Sequence, residues 1–375
     1  MSGKPGSCTY LIPTLFGLEG VAAQECKHLG LENVRAEDGR VLCEGSIFQL
    51  PRLNLNLRTG ERVILLLGRF PADTFDALFE GTAALPWEEF IPRDGKFPVR
   101  CQCVGSQLHA EVTCGNVVKK AVAKRLGGTY GLATLPETGG DYAVRCLILK
   151  DTVTIGIDTS GPSLHKRGYR ALSTGAPLRE TLAAAMVLLS RYRGKGMFVD
   201  PFCGSGTIPI EAALIAKNRA PGLNRTFPSQ KWPLVPQTAW LDAVEEAMDK
   251  EYDGPYEIFG SDIDPAAVEL AQKNAALAEV DDLISFSVAD AAAFRSDAPT
   301  GRIVTNPPYG QRLMEKSEAE GLYAAFGKAC RRLPKGWELY LLSSHTEFER
   351  TFGRTADKKR KLYNGPLLCN LFQYK

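Results

Sequence analysis

Phe198-Val199-Asp200-Pro201-Phe202-Cys203-Gly204-Ser205-Gly206-Thr207 decides the fold of this 375-residue chain. A short apolar strand runs into a glycine-rich loop, and the pattern predicts a helix over 208–217 directly behind it. Gly204 and Gly206 let the backbone approach a ligand closely, while the helix N-terminus aims N–H groups and a positive dipole end at it. Pro209 stands where a dinucleotide fingerprint has its third glycine. With Asp200 and Pro201 ahead of it, the loop suits a single nucleoside carrying an amino-acid tail better than a pyrophosphate.

The next unit downstream is Glu257-Ile258-Phe259-Gly260-Ser261-Asp262-Ile263-Asp264, a strand ending in acid. Pro265 suits the first turn of a helix expected over 266–278. A carboxylate at the end of the second strand is where doubly wound sheets hold ribose hydroxyls, which assigns that task to Asp262. Gly206 and Asp262 lie 56 residues apart, against the usual interval of about 20; an insertion rich in Pro, Arg and Trp over 219–255 fills the gap. Ser285-Phe286-Ser287-Val288-Ala289-Asp290 is an alternating strand with another terminal acid, suited to accept from an adenine amino group. Taken singly, Asp264 and Asp290 read as helix caps; in this order they read as ligands.

Thr305-Asn306-Pro307-Pro308-Tyr309-Gly310 follows the apolar pair Ile303-Val304. The Asn-Pro break stops a strand and presents an amide, two carbonyls on a stiff Pro-Pro unit and an aromatic ring. Asn306 Oδ1 and the Pro307 carbonyl can accept the two N–H bonds of a planar amino group, and Tyr309 can stack on the ring that carries it. Pro308 stiffens the turn. Alone, the same string would be an ordinary proline-rich loop.

DPFCGSGT, SDID, VAD and TNPPYG in that order resemble the class I S-adenosylmethionine-dependent amino-methyltransferases, over roughly residues 170–375. Within that group the chain is most similar to bacterial ribosomal-RNA guanine-N2 methyltransferases with an N-terminal THUMP domain. Leu164-His165-Lys166-Arg167-Gly168-Tyr169-Arg170, Ala176-Pro177-Leu178-Arg179-Glu180 and Ala220-Pro221-Gly222-Leu223-Asn224-Arg225 carry this likeness. The resemblance implies a Rossmann-like α/β methyltransferase domain over 165–375. S-adenosylmethionine would lie on Asp200 and the 204–207 loop (Gly204, Ser205, Gly206, Thr207), with Asp262 at the ribose and Asp290 at the adenine. Asn306, Pro307, Pro308 and Tyr309 would receive an unstacked guanine, most directly of large-subunit rRNA. A tRNA guanine-N2 enzyme, an adenine-N6 enzyme and a non-catalytic RNA-binding or ribosome-assembly factor stay open as alternatives.

The first half carries no catalytic constellation. Residues 1–68 read strand, helix, two short strands, a weak helix and a strand, the order of an α+β ferredoxin-like unit. Residues 69–160 repeat an α+β pattern, with Lys150-Asp151 as a hairpin turn, and resemble a THUMP domain, an RNA-binding module of RNA-modifying enzymes. Lys119, Lys120, Lys124 and Arg125 on one expected helix are candidate phosphate contacts, as are Lys166, Arg167 and Arg170.

Net charge is only +2, but it is segregated. Residues 166–240 hold eleven Lys/Arg against three acids, interleaved with Trp232 and Trp240, and Arg354 with Lys358-Lys359-Arg360-Lys361 forms a second basic run. Such segregation is expected of a phosphate-tracking surface. Ten cysteines are scattered without a C-x-x-C pair or a histidine at ligand spacing, so no metal site and a reduced, cytoplasmic compartment are expected. No apolar run approaches the ~20 residues that cross a bilayer, and no membrane partner is expected.

Overall fold

The computed structural model describes residues 7–170, 178–309 and 316–375; Ala176, Pro177 and Gly310 of the motifs above lie outside the described residues. The chain opens with β1 (Ser7–Pro13), α1 (Glu19–His28), β2 (Glu32–Glu37), β3 (Arg40–Ser46), α2 (Leu50–Asn56) and β4 (Ile64–Pro71). It continues through α3 (Phe75–Ala83), β5 (Val99–Val104), α4 (Glu111–Tyr130), β6 (Val144–Leu149) and β7 (Thr152–Asp158). The β6–β7 hairpin turns at Lys150 and Asp151, both at positive φ (49° and 58°), the geometry of a two-residue primed turn.

These strands make one seven-stranded sheet in the order β2-β3-β1-β4-β7-β6-β5. The expected boundary at 68/69 falls inside β4, which pairs with β1 on one side and β7 on the other. The apolar run of β4 stops at Leu67, but an irregularity between Leu66 and Gly68 carries the pairing on through Arg69 and Phe70. Periodicity reports the buried stretch, whereas the hydrogen-bonded strand outlasts it. One face of this sheet, with Tyr10, Ile12, Val41, Leu65, Val144 and Ile155, shares a core with residues of α1–α4. On the opposite face Leu11, Leu42 and Ile64 form a small separate cluster.

The second half holds α5 (Glu180–Leu189), β8 (Met197–Asp200), α6 (Thr207–Ala216), α7 (Gln237–Asp249), β9 (Ile258–Asp262), α8 (Pro265–Leu277) and β10 (Ile284–Val288). After them come β11 (Thr300–Thr305), α9 (Lys316–Cys330), β12 (Gly336–Ser343), α10 (Phe348–Phe352), β13 (Lys358–Asn364) and β14 (Leu367–Tyr374). The sheet order is β10-β9-β8-β11-β12-β14-β13. The first five strands are parallel, and β14 and β13 close the edge antiparallel. Strand order reverses between β8 and β11, which makes their carboxyl ends the switch point where such sheets bind ligands. Among the described residues no helix is long and apolar enough to cross a membrane.

Every residue of α6 is buried, which explains its lack of a polar stripe. The N-terminal half covers its outer side. Arg58 donates to the Arg219 carbonyl at 2.9 Å, and Arg167, 3% exposed, reaches Glu211 of α6 at 3.4 Å and the Leu164 carbonyl at 2.7 Å.

The insertion corrects one expectation. Trp232 and Trp240 are not on a basic surface but 1% exposed in the core of the N-terminal half. Trp232 stacks on Tyr142 at 4.7 Å and donates to the Asp141 carbonyl, and Trp240 stacks on Phe227. The nearby arginines serve the same seam: Arg225 donates to the carbonyls of Ser160, Ser163 and Lys166. Lys358–Lys361 of the second basic run lie on the edge strand β13, where exposed lysines also discourage pairing with other chains.

Candidate active site

The glycine loop is fixed by its own backbone and by three neighbouring side chains. Gly206 caps α6 at φ 81°, and a Cβ there would meet Ala271 at 2.9 Å, so only glycine lets α8 pack this close. Asn274, on the same helix, donates to the Ser205 carbonyl at 2.9 Å. Arg170 donates to Thr207 Oγ1 at 2.7 Å and to the Leu178 carbonyl at 3.1 Å. Gly204 also has positive φ, 51°, with nothing within 4 Å of where its Cβ would be.

Asp262, at the end of β9, accepts from the Gly204 N–H at 2.9 Å through Oδ2 and from the Asp264 N–H at 3.1 Å through Oδ1. It therefore ties the glycine loop to the next strand, and each oxygen keeps a lone pair for a further donor. Asp264 caps α8 and Asp290 accepts from the Ala292 N–H, so both have the capping role that their isolated reading gives them. A loop open on the Gly204 side, an acid at the second strand end and a helix N-terminus beneath fit a nucleoside with a charged amino-acid tail.

Asp200 has a different position from the one the motif implies. It is 1% exposed and accepts from Thr305 Oγ1 at 2.6 Å and from the Phe202 N–H at 3.2 Å. The carboxyl thus braces the ends of β8 and β11 across the switch point. Burial pushes it up to about 7, against the opposing pull of the Thr305 and Phe202 hydrogen bonds. A carboxyl raised on folding stabilises fully below its unfolded value, about 3.9, and that stability is lost as pH rises through the folded value. Asp200→Asn should therefore gain on the wild type between pH 5.5 and pH 8, by up to about 1.4 kcal/mol per pH unit. Thermal melts of both proteins at the two pH values test this; an unchanged gap between them would contradict it.

In the NPPY loop, Tyr323 of α9 donates to the Pro308 carbonyl at 2.5 Å and so fixes the second proline. Among the described residues no donor reaches the Pro307 carbonyl. The Tyr309 ring does not stand over an open slot. It packs beside Cys369 (hydroxyl to Sγ, 3.9 Å), and its hydroxyl donates to Asn306 Oδ1. Burial and the Cys369 neighbour hold that hydroxyl protonated, well above its ordinary range. The acceptor expected for a substrate amino group thus already holds one internal donor and keeps one lone pair for a second.

The basic candidates divide. Lys120, Lys124 and Lys166 are exposed. Lys119 instead pairs with Glu137 and lies over the Phe97 ring, and Arg125 pairs with Glu88; both are spent on packing α4. Arg167 is buried on Glu211, and Arg170 faces Thr207 and Glu180 rather than solvent. Arginine recurs here because its planar fork satisfies several acceptors in a dry seam. Sequence reading missed Tyr323, Asn274 and Thr305 as site-shaping residues. Thr305 adjoins Asn306, but nothing local marks the other two. It also missed that Cys101, Cys103 and Cys114 bring their sulfurs within 4.8 Å of one another. All ten cysteines are unpaired.

Residues 167–373 match the family described as the RMKL-like methyltransferase domain, 9–64 the RlmL ferredoxin-like domain and 72–158 the THUMP domain. YpsC of Bacillus subtilis, provisionally named an RNA methyltransferase, is 44% identical over 98% of this chain and 95% of its own length. A protein of Psychromonas ingrahamii named ribosomal RNA large subunit methyltransferase K/L is 35% identical over 98% of this chain; the chain spans about half, 50%, of that protein. The crystal structure of SMU.472, provisionally described as a methyltransferase and complexed with SAH, superposes with a TM-score of 0.93 at 40% identity, covering 98% of both chains. The chain belongs to the RMKL-like methyltransferase family, with an RlmL ferredoxin-like domain and a THUMP domain ahead of its methyltransferase domain.

Proposed function

We propose that the protein transfers a methyl group from S-adenosylmethionine to the exocyclic amino group of a guanine in RNA, and that this RNA is large-subunit rRNA. The observation that carries this is the convergence of three loops at the carboxyl ends of β8, β9 and β11: Asp262 bonded to Gly204, Asp200 bonded to Thr305, and Asn306 directly after Thr305. The names of the K/L relatives favour rRNA over tRNA. The unpaired cysteines suit the cytoplasm.

When bound, the cofactor supplies an electrophilic methyl on a sulfonium. Gly204, Ser205, Gly206 and Thr207 would hold its amino-acid tail, Asp262 its ribose and Asp290 its adenine edge. Asp200 acts through Thr305 by keeping the two loops in register. A guanine amino nitrogen is a weak nucleophile because its lone pair is delocalised into the ring. Asn306 Oδ1 and the Pro307 carbonyl, accepting its two hydrogens, favour the tetrahedral, cationic nitrogen that forms during attack. The N–C bond would form as the S–C bond breaks, leaving the thioether S-adenosylhomocysteine, and the proton of the cationic amine then passes to water, so no strong base is required beforehand. A paired base cannot reach this loop, which makes an unstacked or flipped nucleotide the substrate. Lys120, Lys124 and Lys166 remain as exposed phosphate contacts.

Asp262→Ala should weaken S-adenosylmethionine binding roughly tenfold to a hundredfold, the loss of a charged hydrogen bond worth about 1.5–3 kcal/mol. Titration calorimetry with unchanged affinity would remove Asp262 from the cofactor site.

A further inference from the structure

A groove of about 1470 Å³ lies away from the cofactor loop, on the face of the N-terminal sheet opposite its main core. Seven lysines and arginines line it against three acids. Arg62 and Arg145 both bond Asp158, at 2.6 and 2.9 Å, so two guanidinium groups share one carboxylate and are fixed in direction. Arg100 is exposed on the edge strand, in register with Arg145. Between the cations the floor is apolar, with Leu11, Ile64 and Leu66. Phosphates suit the arginines and unpaired bases suit the floor; a duplex would hide its bases from it.

The groove leads towards the catalytic loop along a continuous set of contacts. Phe16 lines it and is 56% exposed, with its ring held over the Gly39 turn. Phe16 meets Tyr363 of β13 edge to face at 6.0 Å between ring centroids. Asn364, the next residue, hydrogen-bonds the Tyr309 hydroxyl, which itself bonds Asn306. Arg360 of β13 donates to the Gly17 carbonyl at 3.1 Å, which locks this strand to the Phe16 loop.

We infer that this face is a track for single-stranded RNA, and that Phe16 and Tyr363 at its end stack on a nucleotide flanking the methylated one. The inference rests on the RNA reading above and extends it to residues outside the methyltransferase motifs. Neither half could do this alone, because Phe16 lies in the loop between β1 and α1 of the first half and Tyr363 in β13 of the second.

The test uses the full chain, a fluorescein-labelled single-stranded oligoribonucleotide and the duplex of the same sequence, read by anisotropy across a salt series. Phe16→Ala should weaken the single strand about five- to a hundredfold, the range for one lost base–aromatic stack. Phe16→Trp should restore binding. Arg100→Ala should flatten the salt slope by about 0.7, one phosphate on a single strand, and both alanine variants should bind S-adenosylmethionine as the wild type does. A wild type that binds the single strand while Phe16→Ala binds it equally well overturns the track and leaves the RNA reading standing. Equal losses for single strand and duplex overturn it too. A wild type that binds S-adenosylmethionine but neither RNA form sinks the RNA reading, and the track with it.

Discussion

Asn306→Ala should lower single-turnover methyl transfer by about 10²–10³, the usual loss for one preorganised group that acts on developing charge. Cofactor affinity should be unchanged, because Asn306 lies beyond the Asp200–Thr305 brace and, among the described residues, its side chain is hydrogen-bonded to Tyr309 rather than to the glycine loop or Asp262. The Tyr309 hydroxyl bond to Asn306 Oδ1 sharpens the expectation for its neighbour. Tyr309→Phe removes a competitor for that oxygen and keeps the ring, so it should transfer methyl at the wild-type rate or faster. Tyr309→Ala removes the ring as well and should weaken capture of the base, by about 1–3 kcal/mol for a lost stack. Wild-type transfer by Asn306→Ala would reduce the NPPY loop to a turn.

The other large effect should come from the seam between the two halves. Arg167 and Glu211 are 3% and 0% exposed, and Arg167 also donates to the Leu164 carbonyl. Arg167→Ala leaves Glu211 buried with the Tyr169 hydroxyl at 3.1 Å as its hydrogen-bond partner and Arg58 as the charge still near it. Removing one member of a buried ion pair typically costs about 3–5 kcal/mol. The variant should therefore melt far below the wild type, whereas Lys166→Ala, on the exposed neighbouring residue, should melt within about 0.5 kcal/mol of it. A wild-type melting curve for Arg167→Ala, together with weakened RNA binding, would return Arg167 to the RNA-contacting surface.

The strands and the glycine loop were legible because each has a local signature; the switch point emerges only from the strand order. β8 and β9 end in acid, β10 alternates ahead of Asp290, and β11 stops at Asn306-Pro307. What could not be read was decided by distant partners. Lys119, Arg125, Arg167 and Arg170 share the chemistry of phosphate ligands, and only the arrival of Glu137, Glu88, Glu211 and Thr207 in space commits them to packing. Trp232 interleaved with lysine reads as a nucleic-acid platform until Tyr142 and Asp141, about 90 positions earlier, are found against it. The shared strand β4 was hidden for a related reason: a sheet joining two units needs no special sequence at the join. Asp200 was found as a motif residue, but its work on Thr305 was not, because that pairing crosses from the first strand of the sheet to the fourth.

Nucleoside mass spectrometry of large-subunit rRNA and tRNA from a deletion strain tests the central claim most directly, with the wild-type and Asn306→Ala genes returned in parallel. The account predicts that one N2-methylguanosine disappears from large-subunit rRNA, returns with the wild type and stays absent with Asn306→Ala. Unchanged methylguanosine in both RNAs, or the loss of N6-methyladenosine in its place, would contradict it.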